Sequence, residues 1–268
     1  MLCYSTGSLP SVSFAEMAQI LANTSFKGVE LVLTPQMLKK STTAHYWKDV
    51  RETFEEHSLV LRNIHLGAPF LASPVAHEPG LSSPISKERQ TKLDATLQSI
   101  EIAYHAEVPR VTVTSGLPKE EGMLRRQEEF FYESVHTLMT KLPQEIELGL
   151  EQEPEHVIHS TEQLQALCQE FPTMGLNFDV GHSEVLGEDI PQCLEVLFPN
   201  LYNIHFEDIA NNIHQHKLFG DGDIDFTPIF NLLKKKGYTG DMTPDLYPFT
   251  EEYDKAIQSS ENFFKQHL

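Results

Sequence analysis

Apolar and polar positions along this chain alternate on two length scales. Short β-rich runs (LCYST, GVELVL, LVLRNIH, VPRVTVTS, IELGLE, MGLNFDV, LYNIHF and DMTPDL) recur between longer stretches where apolar residues return every three or four positions. The short runs are near-continuously apolar, as expected of strands in a parallel sheet covered on both faces. The longer stretches predict helices over 14–22, 46–56, 86–106, 119–142 and 161–170, with a further helical segment after each of the last three strands. Ser13 with Glu16, and Ser160 with Gln163, have the spacing of a capping box, in which each side chain satisfies a backbone N–H at the helix start. Thr227 and Pro228 fit an N-cap followed by proline at the first helical position.

About eight strand–helix units is what a (β/α)8 barrel requires. The expected fold is therefore α/β, one barrel domain over 1–268. A doubly wound open sheet is the competing arrangement, but no Gly-x-Gly-x-x-Gly phosphate loop follows the first strand. No linker composition separates two cores. The Pro- and Ser-rich stretch 67–84, the largest irregular segment, is expected to lie as a loop over the barrel mouth.

The net charge of −19 argues against a surface that tracks nucleic-acid phosphates, so no nucleic-acid partner is expected. Cys3, Cys168 and Cys193 are isolated and offer neither a zinc ribbon nor a disulfide framework. The first residues, MLCYSTGSLP, lack the basic and apolar regions of a secretion signal. No apolar run approaches the ~18 residues that cross a bilayer. The expectation is a cytoplasmic protein with no membrane partner, acting on a small molecule.

Chemistry concentrates where the later strands end. Glu151 closes IELGLE, Asp179 and His182 lie in FDVGHS, His205 closes LYNIH, His216 sits in HQHK and Asp245 in TPDLY. In a parallel barrel all C-terminal strand ends open onto one face, where active sites are built. Taken singly, each residue has an ordinary explanation: a solvated carboxylate, or a structural histidine such as His65. Convergence changes that, because carboxylates and imidazoles gathered in one mouth repel or stay unsatisfied without a cation. A mixed oxygen and nitrogen set suits Zn²⁺, Mn²⁺, Co²⁺ or Mg²⁺. The GDGDID segment starts like a calcium loop but lacks the distal Glu, and reads better as a turn into the last crossover helix. His45 and Trp47 read as packing or surface residues. No Ser/His/Asp arrangement, P-loop or redox-cofactor fingerprint is present.

The runs LEQEP, DVGHS, NIHFED, HKLFGDGDIDF and YTGDMTPDLY resemble the C-terminal half of the xylose isomerase-like barrel superfamily, with GVEL and NIHL a looser match in the N-terminal half. That group includes sugar isomerases and epimerases, hydroxypyruvate isomerases and metal-dependent endonucleases that cut at abasic sites. The resemblance implies one divalent cation held by Glu151, Asp179, His205 and Asp245. His65, His182 and His216 would then line the substrate pocket, or hold a second cation near His182 and His216. It implies isomerisation or epimerisation of a small sugar, sugar phosphate or hydroxy-keto acid. In that chemistry a metal-polarised carbonyl acidifies a carbon-bound proton, and Glu151 and Asp245 shuttle it through an enediolate. Three departures stand out. The last-strand ligand in those relatives is usually Glu, and Asp245 is one methylene shorter. His214 stands where the endonucleases have Asp in an Asp-x-His pair, and Val113 to Ser115 ends the fourth strand where they have a zinc-binding His. A metal-dependent hydrolase or phosphoesterase using a metal-activated water is the alternative reading, and a non-catalytic sugar- or metal-binding barrel a third. Related barrels are often dimers or tetramers, which leaves a homo-oligomer open.

Overall fold

The computed structural model describes residues 1–34, 37–38, 43–66, 77–120 and 122–268. Eight strands form one sheet in chain order: β1 (Cys3–Ser5), β2 (Gly28–Val32), β3 (Val60–His65), β4 (Arg110–Val113), β5 (Glu147–Glu151), β6 (Gly175–Asp179), β7 (Leu201–Phe206) and β10 (Asp241–Pro244). Neighbours pair in parallel, and a parallel bridge from Leu2 to Met242 brings the last strand back to the first. This is the (β/α)8 barrel that the alternation predicts. The two remaining strands, β8 (Asp208–Ala210) and β9 (Ile213–Lys217), form an antiparallel hairpin directly after β7. Nine α-helices lie among the described residues: α1 (Phe14–Ala22), α2 (Ala44–Glu55), α3 (Ser86–His105), α4 (Leu124–Met139), α5 (Thr161–Glu170), α6 (Val180–Val185), α7 (Ile190–Leu197), α8 (Thr227–Lys236) and α9 (Tyr253–His267). None is long and apolar enough to cross a membrane.

Local chemistry explains most of these limits. Both capping boxes form, Ser13 with Glu16 at α1 and Ser160 with Gln163 at α5. The structure differs from expectation at three places. Helix α4 begins at Leu124 rather than 119, where Lys119 N–H instead donates to the Gln127 side chain. Thr227 is the first residue of α8 and not its cap: Asp225 accepts its N–H at 3.0 Å. A hairpin rather than a helix follows β7, because Asn211 and Asn212 both adopt positive φ (57° and 54°), the conformation a tight two-residue hairpin turn needs. The first part of the expected mouth loop, 67–76, lies outside the described residues.

By its contacts the chain divides into two compact units. One comprises Met1–Glu30, Thr53–Val60 and Leu176–Leu268, the other Leu31–Glu52 and Leu61–Gly175. The first is rich in phenylalanine: Phe206 stacks on Phe230 (5.3 Å between centroids), and Phe219 lies flat on Phe263 (3.8 Å). The second is filled mainly by aliphatic side chains of β4 and β5, with Phe131 and the fully buried Trp47, whose indole meets Tyr46 edge-on.

Lys92 is fully buried in this second unit, with its Nζ 3.5 Å from Leu66 O. Burial pulls its pKa down to about 8 from an ordinary 10.5, against the attraction of Glu78. Between those two values the unfolded chain binds more protons than the folded one, so stability rises with pH through that window. The rise should amount to about 3 kcal/mol at most. Denaturation midpoints of wild type and Lys92→Met, followed from pH 7.5 to 10.5, check this. Only wild type should gain; a parallel gain in the variant would assign the effect to another group.

Candidate metal centre

In the first unit the parallel register sets Asp179 and Thr243 on either side of His205. Side chains alternate along β7, so Asn203, His205 and Glu207 share one face while Phe206 turns to the aromatic core. His205 is buried, and its Nε2 lies 3.0 Å from both oxygens of the buried Glu30 in the middle of β2. Asn203 Nδ2 also donates to Glu30, at 3.4 Å, and is itself held by Thr243, whose Oγ1 donates to Asn203 Oδ1. An ionised carboxylate only accepts, so Nε2 carries the proton and the Nδ1 lone pair faces the other way. There it meets Asp179 Oδ2 at 3.8 Å and Asp245 Oδ2 at 4.0 Å. The other Asp179 oxygen is occupied, accepting the His182 N–H at 2.9 Å as the N-cap of α6.

These separations fit a cation. Ligands at about 2.0–2.2 Å from a shared ion lie up to about 4 Å apart. Two carboxylate oxygens and a lone-pair nitrogen, two of the three side chains wholly buried, have the donor chemistry of a divalent-metal site.

A second cluster adjoins it. Glu207, the residue after β7, is fully buried, and a Cβ on Gly181 would sit 2.2 Å from its Oε1, so the glycine of DVGHS makes room for this carboxylate. Burial pushes the Glu207 carboxyl well above the usual range against the pull of His216, with Asp179 adding to the rise. His216 Nδ1 lies 2.7 Å from Glu207 Oε2. Burial lowers the His216 pKa, but Glu207, Asp245 and Asp179 outweigh it and raise it to about 10. Its backbone is strained, with φ +46°. His182 Nε2 is 3.9 Å from Glu207 Oε1, and His214 Nε2 is 2.8 Å from His216 Nε2.

The other two anticipated residues belong to the second unit, where His65 Nε2 and Glu151 Oε2 form a buried pair at 2.5 Å. Asp179, His205 and Asp245 are thus brought together, His182 and His216 lie in the adjoining cluster, and His65 is engaged with Glu151. Glu30, inside the run GVELVL, and Glu207, just past the run LYNIHF, escaped the sequence reading. GDGDID is the turn expected of it, organised by Asp208: one oxygen accepts from Gly220 and Gly222 N–H (2.9 and 3.0 Å), the other from Ile209 and Ile224 N–H (3.0 and 3.3 Å).

The chain belongs to the xylose isomerase-like TIM barrel family, whose profile matches residues 18–266. A stretch of 102 residues is 29% identical to an inosose dehydratase of Geobacillus thermodenitrificans, covering 31% of this chain and 34% of that protein; the match thus spans about a third of that relative's length. Among solved structures, the IolI protein with a bound zinc atom superposes with a TM-score of 0.79 at 14% identity, over 100% of this chain and 99% of that one. The 3-keto-D-glucoside 4-epimerase YcjR of E. coli gives 0.78 at 14% identity, over 97% of both chains. At these identities the structural likeness speaks for the fold.

Proposed function

We propose that the protein is a sugar-acting enzyme, a divalent-metal-dependent isomerase or epimerase of a small sugar, sugar phosphate or hydroxy-keto acid. The observation that carries this is the His205 Nδ1 lone pair set between the Asp179 and Asp245 carboxylates, with Glu30 holding the opposite nitrogen protonated. The names of the relatives, two acting on sugars or cyclitols and one holding zinc, support the same direction. Glu151 enters as a fourth ligand from its place in LEQEP. A cation bound by these groups supplies Lewis-acid polarisation of a substrate carbonyl.

The residues then have separable tasks. Asp179 is fully buried and committed through one oxygen to the start of α6, which suits a fixed anchor rather than a moving base. Asp245 is partly open, its side chain 16% exposed, and can reach a substrate carbon to take its proton. Glu151, hydrogen-bonded to His65, is assigned the return of the proton on the other side. Loss of a neighbouring hydroxyl after the same first step would give a dehydration instead, so product analysis belongs with the assay. The hydrolase alternative draws on one observation, the nitrogen-rich cluster beside this set, which could seat a second cation.

Elemental analysis and proton exchange test the reading together. Wild type should hold a divalent ion and exchange a carbon-bound proton of at least one ketose or hydroxy-keto acid with solvent deuterium. Asp179→Ala should lose both that ion and the exchange. Equal metal content in the two proteins, or hydrolysis of a phosphoester without any exchange, would reject it.

A further inference from the structure

Glu30 is a carboxylate at a place where burial alone gives no reason for one. The interior of a parallel barrel is normally packed with branched apolar side chains. In the first unit four strands instead bring buried polar side chains together: Glu30 on β2, Asn177 on β6, Asn203 on β7 and Thr243 on β10. Taking a carboxylate out of water is costly, and well-packed apolar residues in place of a buried charge pair often stabilise a fold. Glu30 is therefore explained by what it holds. Both of its oxygens lie 3.0 Å from His205 Nε2. Asn203 Nδ2 donates to one of them at 3.4 Å, and that amide is oriented in turn by Thr243 Oγ1, which donates to Asn203 Oδ1 at 3.0 Å. The Asn177 amide stands 3.1 Å from the same His205 nitrogen. These contacts gather at Nε2, while Asp179 and Asp245 face Nδ1.

We propose that Glu30 is a positioning residue that acts through His205: it fixes the ring and its tautomer before an ion arrives, and sets how tightly the ion is then held. The inference rests on the reading of Asp179, His205 and Asp245 as a metal centre. An ionised carboxylate has only acceptors to offer, so the hydrogen stays on Nε2 and Nδ1 keeps the lone pair that a cation needs. The negative charge behind the ring also makes that lone pair a stronger donor. Thr243 and Asn203 contribute by keeping an N–H rather than a C=O turned toward the carboxylate. A glutamine at this position has the same shape but no charge, and its amide can present either its oxygen or its NH2 to Nε2. The ring then loses its preference. Part of the protein would carry the hydrogen on Nδ1, where it blocks the ion.

Long-range proton–nitrogen NMR correlation on the full chain, labelled with nitrogen isotope in its histidines, reads the tautomer without an activity assay. In chelator-treated wild type, His205 should be in the Nε2–H form, its signals identified by their absence from His205→Asn. Glu30→Gln should show both forms and should bind Zn²⁺ about 10–100-fold more weakly, measured by competition with a chromophoric chelator. A purely structural role for Glu30 would move the melting temperature and leave the tautomer alone. Far-UV circular dichroism confirms that the variant is folded, and the wild-type spectrum by itself can refute the proposal if the variant is not. The Nδ1–H form in wild type, or a folded Glu30→Gln that keeps either the wild-type tautomer or the wild-type zinc affinity, would overturn it. Absence of zinc uptake by wild type would instead reject the metal centre, a failure that the tautomer measurement keeps apart from this one.

Discussion

Asp245→Asn should lower substrate proton exchange by about 10²–10⁴-fold, the range a positioned general base contributes, while leaving the fold in place. The amide keeps the shape of the carboxylate and sits at a partly open position just past β10, where Asp245 N–H still donates to Phe206 O at 2.8 Å. What it lacks is basicity near neutral pH. Deuterium incorporation measured by NMR, with a thermal melt as control, decides the matter. Exchange at the wild-type rate would show that Asp245 only holds the ion, and would shift the role of base to Glu151. The shorter side chain is the reason to test this position first. One methylene retracts the carboxylate by about 1.5 Å, and proton transfer is sensitive to displacement on that scale.

The largest effect on stability should come from a residue with no part in the chemistry. Asp208→Ala removes the acceptor of four backbone N–H groups, those of Ile209, Gly220, Gly222 and Ile224. A donor stripped of its partner costs about 1–3 kcal/mol when buried and less where water reaches it. With the loop half-buried, the sum should fall at about 2–5 kcal/mol. Asp208→Asn, which keeps one acceptor oxygen, should lose roughly half as much. Urea unfolding of the three proteins measures both. A change below about 0.5 kcal/mol in the alanine variant would mean that the loop holds its shape without the carboxylate. Gly222 has no freedom to help, since a Cβ there would lie 2.2 Å from Asp208 Oδ1 and 2.5 Å from Ile209 O.

Much of this architecture was legible in the residues. Strands buried on both faces must be apolar almost throughout, so the eight runs stand out from the amphipathic helices between them. A polar group at the end of such a run is conspicuous, which is why Asp179, His205 and Asp245 stand out as candidates. Glu30 was harder to see because GVELVL continues past it, and only the pairing of His205 with both of its oxygens gives it a role. Glu207 was hidden for a different reason. In HFED three polar side chains crowd together, and which of them face the same way follows only from the strand's alternation: His205 and Glu207 on one side, Phe206 on the other. The hairpin did carry a signal, Asn211-Asn212, two residues that tolerate positive φ. It was masked by the expectation that every strand of a barrel leads into a helix. The boundary between the two contact-defined units has no compositional mark at all, because the chain passes between them at several points within strands and helices rather than at a linker.

Trp47 is the only tryptophan in the sequence, and it lies fully buried in α2. Intrinsic emission excited at the red edge of the aromatic band is therefore a one-residue signal, and it reports on the unit that contains Leu31–Glu52. The phenylalanine-rich unit, which carries Asp179, His205 and the histidine cluster, is dark at that wavelength. Denaturation followed by emission and by far-UV circular dichroism thus compares part of the molecule with the whole, without any label being introduced. Coincident curves would mark a single cooperative transition, and separated ones a stepwise melt.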